Sequence, residues 1–299
     1  MQNTQLSSQG IILAIIGIIL FSAKAVLVKL AYKYNISSEH LLLFRMLFSL
    51  PIYLVFATYK KPLQKEKIRK IDYVWILFFG FVGYYLASYF DFLGLQYIKA
   101  GLERIILFVY PTLVIIISWL FFKKSITNKQ LFAILITYIG VIVTFWGEIQ
   151  LENTNIVLGV SLIFLSALTY AIYLVGSGWL IPKFGVVTFT SYAMIVSSMC
   201  IIIQYIMFDR QDIMSYPLEL YIICIIMAIF STIIPSYLIS AAIAKLGASD
   251  FSIIASLGPV STIVLAHFFL GENLSYIQIS GAVVVILGVY VVSNKNKTI

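Results

Sequence analysis

Long apolar segments are the feature that most constrains the fold of this chain. A run of about 20 apolar residues spans a bilayer as a helix, because lipid offers its backbone no hydrogen-bond partners. Hydrophobic residues make up 62% of the 299 residues and charged residues only 11%, too few to coat a soluble globule. We therefore predict an all-α polytopic membrane protein with ten transmembrane helices. Their predicted ranges are 11–31, 40–59, 73–97, 101–122, 129–147, 156–180, 187–208, 218–243, 249–269 and 275–293.

The basic residues predict how these helices are oriented. The link between helices 2 and 3, KKPLQKEKIRKID, holds six Lys and Arg residues, so we expect it in the cytoplasm. Every second connection should then be basic, and the 4–5 connection, the 6–7 connection and the C-terminal tail are (Lys123, Lys124, Lys129, Lys183, Lys295 and Lys297). Topology thus explains the net charge of +8 without nucleic acid as a partner. The start, MQNTQLSSQG, lacks the basic region of a secretory signal. We predict a multi-pass protein of the cytoplasmic (inner) membrane with both termini cytoplasmic.

An internal duplication is visible in the second half of each predicted five-helix unit. Residues 111–140 align without gaps to residues 259–288 at a constant offset of 148. The match includes two capping boxes, Thr127-x-x-Gln130 and Ser275-x-x-Gln278, each of which predicts the start of a helix. Matching prolines, glycines and capping boxes in one register indicate a true repeat rather than chance similarity.

The duplication divides the chain into two units of five helices, residues 1–150 and 151–299. An odd number of spans per unit forces the second unit to insert upside down. The pair Lys123-Lys124 in the first unit becomes Gly271-Glu272 in the second, as expected if one loop is cytoplasmic and its counterpart is outside. The sequence therefore predicts two inverted repeats.

The segment LGENLSYIQISGAVVVILGV at 270–289 resembles the second-repeat ending of the EamA-like members of the drug/metabolite transporter superfamily. Weaker matches are FSAKAVLVK in helix 1, FRM at 44–46 and YPTLVIIISWLF at 110–121, and the resemblance covers nearly the whole chain. It implies ten helices in two inverted repeats, alternating access, and a central cavity lined mainly by helices 1, 3, 4, 6, 8 and 9. It does not choose among amino acids, nucleotide derivatives, amines and other metabolites as the substrate.

Lys24 is a charged residue near the middle of helix 1. A charge at that depth costs roughly 2.5 to 3.5 kcal/mol on insertion scales, so it needs compensation. Snorkelling to the lipid headgroups is one explanation, but it suits Lys29 better because Lys29 lies nearer the outer boundary. We expect Lys24 to face the central cavity and to pair with a carboxylate of the protein or of the substrate.

Helix 3 carries the matching polar and aromatic residues. Helical spacing places Tyr84, Ser88 and Asp91 on one face, with Tyr85 on the neighbouring face. We predict that these four residues and Lys24 line one substrate-binding cavity. The alternative is that the tyrosines only pack, with their hydroxyls reaching water or backbone carbonyls.

Other residues suggest structural roles. Pro111 and Pro259 occupy equivalent points of helices 4 and 9, and with Pro235 in helix 8 they are candidate gating hinges or static bends. Arg45 fits the family's FR position, but helix 2 is expected outside the cavity wall, which favours packing or contact with lipid. Small residues seven apart on helices 5 and 10 permit close helix contact, within the chain or in a dimer. They are Ala133, Gly140, Gly281 and Gly288.

The predicted function is a secondary transporter of small metabolites, with amino acids or their derivatives as the first choice. No nucleotide-binding loop, GxGxxG or HExxH motif is present, so we predict neither an ATP-driven pump nor an enzyme, and neither a cofactor nor a metal. Nucleotide-type or cationic drug-like solutes are the alternative cargo, and a channel or an intramembrane enzyme is a less favoured class. Proton coupling through Asp91 or Glu103, exchange with a counter-substrate, and a monomer or a dimer all remain open.

Overall fold

Helices form the described part of this computed structural model, and that part contains no strand. The structure describes residues 7–63, 68–94, 97, 106–145, 155–208, 213–271 and 275–293. Glu103 and the acidic residues 148 and 152 lie outside these ranges. The predicted all-α polytopic class is confirmed.

Ten helices follow one another through the described ranges, one for each predicted span. We label them α1 Ser8–Tyr32, α2 Ser38–Tyr59, α3 Lys70–Gly94, α4 Tyr110–Phe122, α5 Asn128–Phe145, α6 Ile156–Phe184, α7 Val186–Phe208, α8 Leu218–Leu246, α9 Ala248–Phe269 and α10 Tyr276–Ser293. Seven of them are long and apolar enough to cross a membrane, and α4, α5 and α10 are shorter apolar helices. Large hydrophobic side chains such as Phe121, Phe132 and Phe208 are exposed on the outside of the bundle, as contact with lipid requires.

Three helices contain interruptions that the sequence did not predict. In α3 a π-helical segment, Phe81–Leu86, separates Lys70–Gly80 from Ala87–Gly94. In α8 a second π-helical segment, Ile229–Ile233, precedes Ile234–Leu246. In α9 a turn at residues 255–256 separates two helical parts. Helix α6 also runs four residues beyond its predicted end, because the chain leaves helical geometry only at Gly185, whose φ is +83°.

Both predicted capping boxes are present. The Gln130 backbone N–H donates to Thr127 Oγ1 at 3.2 Å, and the Thr127 N–H donates to Gln130 Oε1 at 3.1 Å. In the second unit the Gln278 N–H donates to Ser275 Oγ at 3.1 Å, and the Ser275 N–H donates to Gln278 Oε1 at 2.9 Å. The same sequence motif therefore forms the same helix start in both units.

Polar contacts show which connections share one end of the bundle. Lys183 Nζ donates to Asp72 Oδ1 at 2.8 Å, which joins the 6–7 connection to the start of α3. Gln130 Nε2 donates to Asp250 Oδ1 at 2.8 Å, joining the starts of α5 and α9. Gly178 near the end of α6 faces Ala248, so these two groups of contacts lie at the same end. We call it the inner end, since it carries the connections predicted to be cytoplasmic.

The small residues of α5 and α10 bring those two helices into direct backbone contact. A Cβ added at Gly140 would lie 2.6 Å from the Val285 backbone nitrogen, and one at Gly281 would lie 2.5 Å from the Thr144 nitrogen. Gly288 faces Thr137 and Ala133 in the same way. The predicted close contact is thus made within one chain, between the last helices of the two units.

We expect Gly281→Ala to destabilise the protein, because its methyl group has no room between two backbones. Overpacking of this kind costs about 1–3 kcal/mol. Gly178→Ala is the matched control, since its added Cβ would meet its nearest neighbour at an ordinary 3.5 Å. Thermal unfolding of the detergent-purified variants measures both, and equal melting temperatures for Gly281→Ala and the wild type would contradict the close contact.

The helices α4 and α9 end in the same unusual way. Lys123 after α4 has a φ of +51°, and its counterpart Gly271 after α9 has a φ of +68°. This left-handed conformation is strained for lysine and unstrained for glycine. Backbone strain at Lys123 therefore destabilises the first unit, whereas Gly271 adopts the same conformation in the second unit without strain.

Lys123→Gly should raise the melting temperature, because it relieves this strain. The gain is up to about 1 kcal/mol, since the added freedom of glycine in the unfolded chain offsets part of the relief. The control is Lys124→Gly, which also removes one lysine charge but at a residue whose φ is not positive. A lower melting temperature for Lys123→Gly than for Lys124→Gly would show that strain at Lys123 is not limiting.

Candidate substrate cavity

A cavity with three charged side chains in a largely apolar wall lies in the middle of the bundle, between helices of both units. Its wall is formed by residues of α1, α2, α3, α6, α8 and α9 and by residues at the start of α4. Its volume is about 120 Å³. One water molecule needs roughly 10–15 Å³ of such volume, so the cavity has room for on the order of ten water molecules.

Lys24 lies in this cavity wall and faces a carboxylate. Its Nζ is 3.9 Å from Asp91 Oδ2, and the two side chains are only 16% and 10% exposed. The ammonium also lies over the rings of Phe21, at 5.2 Å, and Phe92, at 5.9 Å. The ion pair and the two ring faces offset the cost of placing a charge at this depth. Lys24 on α1 is therefore paired with a carboxylate of the protein, that of Asp91 on α3, which is one of the two predicted alternatives.

The face of α3 reaches the cavity as predicted, with one exception. Tyr84, Ser88 and Asp91 all line it. Tyr85 does not, and its ring instead packs 5.2 Å from Phe81 and 6.3 Å from Tyr89. Consecutive residues of a helix point in different directions, so Tyr84 and Tyr85 do not share one wall. The structure thus places Tyr85 outside the wall of this cavity.

Arg45 corrects a second expectation. Its side chain is neither outside the cavity nor exposed to lipid, since the residue is 3% exposed and lines the cavity. The guanidinium Nη2 donates to Ser88 Oγ at 3.2 Å and so joins α2 to α3. The cavity wall therefore includes helix 2 in addition to the six helices that the resemblance implied.

Aromatic rings form another part of the wall. Phe108 and Tyr110 lie at the start of α4, and the Tyr110 ring packs 5.5 Å from Tyr170 on α6. Tyr84 packs edge-on against Tyr173, with ring centroids 4.8 Å apart. The sequence analysis missed Tyr170, although the spacing of Ser166, Tyr170 and Tyr173 in α6 could have indicated a polar and aromatic face.

Irregular backbone surrounds the cavity at equivalent points of the two units. The π-helical segments Phe81–Leu86 and Ile229–Ile233 lie in α3 and α8, which are the third helices of the two units. Gly83 and Tyr84 of the first, and Ser231 and Thr232 of the second, line the cavity. Single-turn π-helices inside α-helices are frequent at functional sites.

The three predicted hinge prolines lie next to these irregular segments. Pro235 follows the π-helical segment of α8 by two residues. Pro111 follows a turn at residues 108–109, and Pro259 follows the turn at 255–256 in α9. Of the three, Pro259 lines the cavity. Their position fits a hinge, and a gating role stays a prediction.

An all-helical membrane bundle with charged residues in a central cavity is the arrangement expected of a membrane transporter. The model of the EamA-like transporter family matches residues 8–146 and again residues 157–294. The chain belongs to this family. It is 30% identical over 281 residues to the "Uncharacterized transporter YcbK" of Bacillus subtilis (strain 168), covering 92% of this chain and 89% of that protein. An "Uncharacterized transporter" of Archaeoglobus fulgidus is 28% identical over 232 residues, covering 77% and 81%.

A solved crystal structure confirms the fold. It is similar to this chain with a TM-score of 0.78 at 14% identity, and the match covers 95% of this chain and 96% of the other. The described residues contain no cluster of His, Cys, Asp and Glu able to hold a metal ion.

The Lys24–Asp91 pair should be energetically coupled. Lys24→Met and Asp91→Asn each leave one charge without its partner in a largely buried place, so each should lower the melting temperature. The double variant removes both charges and should lose less than the sum, with a coupling of about 0.5–3 kcal/mol.

Asp72→Asn combined with Lys24→Met is the control, because Asp72 pairs with Lys183 at the inner end. Thermal unfolding of the six proteins measures both cycles. Additive effects for Lys24 and Asp91 would show that their proximity carries no interaction energy.

Proposed function

We propose that this protein is a secondary transporter that carries amino acids or amino-acid derivatives across the cytoplasmic membrane by alternating access. The observation that carries the proposal is the central cavity, which combines a Lys24–Asp91 ion pair with aromatic rings and is built from both units. Transport is the activity of its family. The substrate class is our inference from the lining.

The lining suits a small molecule with both charges. Asp91 Oδ1 is buried and has no hydrogen-bond partner among the described residues, so it can accept from a substrate ammonium. The cationic side of the cavity can bind a carboxylate, and the rings of Tyr110 and Tyr170 offer an apolar surface for a side chain. The volume of about 120 Å³ fits a small amino acid in this state. A bulkier derivative such as S-adenosylmethionine requires a wider state.

Alternating access is supported by the arrangement of the two units, residues 1–150 and 151–299. An inverted repeat gives inward-facing and outward-facing states by exchanging the conformations of its halves. The Asp72–Lys183 bond joins the units at the inner end, so opening toward that side has to break it. The paired irregular segments next to Pro111, Pro235 and Pro259 supply the places where helices can bend.

The orientation that we propose has both termini in the cytoplasm, from the distribution of basic residues. A proton or a counter-substrate is the coupled species that fits the cavity. The protein could act as a monomer or as a dimer, since each chain has its own cavity.

Counterflow in proteoliposomes tests the proposal. Vesicles loaded with unlabelled standard amino acids should accumulate a radiolabelled mixture of the same amino acids, as a carrier does and a channel does not. Lys24→Ala and Asp91→Asn should each lower the rate at least about tenfold, because each breaks the ion pair of the cavity and changes the charge that the substrate meets there.

Lys29→Ala is the matched control, since Lys29 is an exposed lysine on the same helix. It should retain the wild-type rate. Absence of amino-acid counterflow in the wild type would overturn the proposed substrate class. Wild-type rates in both Lys24→Ala and Asp91→Asn would leave those residues structural.

A further inference from the structure

Arg45 is a buried cation whose hydrogen-bonding capacity is only partly used among the described residues. It is 3% exposed and lines the cavity, and its Nη2 donates to Ser88. Its Nε has no hydrogen-bond partner among the described residues. A guanidinium has five N–H donors, and buried donors are nearly always satisfied. A purely structural arginine at this depth would be expected to have its Nε paired.

The charges around the cavity are also unequal. Among the described residues that line it, Lys24 and Arg45 are cationic and Asp91 is anionic. Lys24 and Asp91 face each other at 3.9 Å, whereas Arg45 donates to the neutral Ser88 hydroxyl. The described residues of the cavity wall therefore carry one positive charge in excess, and Arg45 is the cation that is not part of the Lys24–Asp91 pair.

We propose that Arg45 is the residue that binds the carboxylate of the substrate. This inference rests on the proposed function and deepens it by naming the group that the site recognises. The planar fork of a guanidinium matches a carboxylate with two parallel hydrogen bonds, and the Ser88 hydroxyl fixes the fork by holding Nη2. Asp91 Oδ1 remains available for the ammonium.

The site then requires a free carboxylate in its substrate. An amino-acid amide has the same side chain and the same ammonium, but it lacks the negative charge that Arg45 binds. We expect it to be rejected, because it would leave the buried guanidinium without a counter-charge. Arg45 is thus a specificity-determining residue.

Competition with the counterflow of labelled amino acids tests this assignment. The two competitors are the unlabelled mixture of standard amino acids and the matching mixture of their amides. In the wild type the acids should compete at least about tenfold better than the amides, the size of effect expected for one charge-assisted pair. In Arg45→Gln the preference should fall to about one, because both competitors then meet an amide side chain.

Two further variants keep the test decisive if Arg45→Gln does not fold. Arg45→Lys retains the charge without the fork and should keep a reduced preference. Ser88→Ala removes the hydroxyl that fixes the guanidinium and should also reduce it. A merely structural role would lower uptake of all solutes without changing the ratio of acid to amide.

The outcomes separate the two proposals. If the folded Arg45 and Ser88 variants exchange amino acids and keep the wild-type preference for acids over amides, the role of Arg45 is overturned but the proposed function is not. Equal competition by acids and amides in the wild type does the same. The absence of any amino-acid counterflow in the wild type overturns the proposed function, and the role of Arg45 in it falls with it.

Discussion

The need to compensate charge inside an apolar bundle governs where the helices around the cavity lie. Lys24 on α1 and Asp91 on α3 are each costly alone, and their 3.9 Å contact holds two helices together at one depth. Arg45 on α2 is tied to the same region through Ser88. Among the residues that the structure describes, three neighbouring helices thus contribute one charged residue each to the wall of the same cavity. These charged side chains are found together at the cavity because a charge inside the bundle is costly without a partner.

The repeat explains how a bundle of otherwise uniform apolar helices acquires irregular backbone at its centre. The π-helical segments lie in α3 and α8, the third helices of the two units, and the turns before Pro111 and Pro259 also correspond. Each irregular segment exposes polar backbone, which membrane helices tolerate only where protein or a water-filled cavity covers it. Residues of both π-helical segments line the one cavity, as the predicted duplication would explain.

Much of this arrangement could be predicted from the sequence, because it follows local rules. Apolar runs predicted the ten helices, two short motifs predicted their capping boxes, and helical spacing placed Tyr84, Ser88 and Asp91 in one wall. Arg45 and Tyr170 could not be placed the same way, since the side that a helix turns toward its neighbours depends on tertiary packing. The π-helical segments were missed for a related reason, because composition does not distinguish them from regular helix. Tyr85 lies outside that wall, because adjacent faces of a helix point in different directions.

The contact between α5 and α10 has a consequence for how the molecule can move. Side chains at most helix interfaces form a layer that can slide or repack by small steps. At Gly140 and Gly281 this layer is missing, and backbone meets backbone. The last helices of the two units are therefore locked into a seam, and neither lines the cavity. A rearrangement that exposes the cavity while this seam stays closed would displace most the helices that lie farthest from the seam.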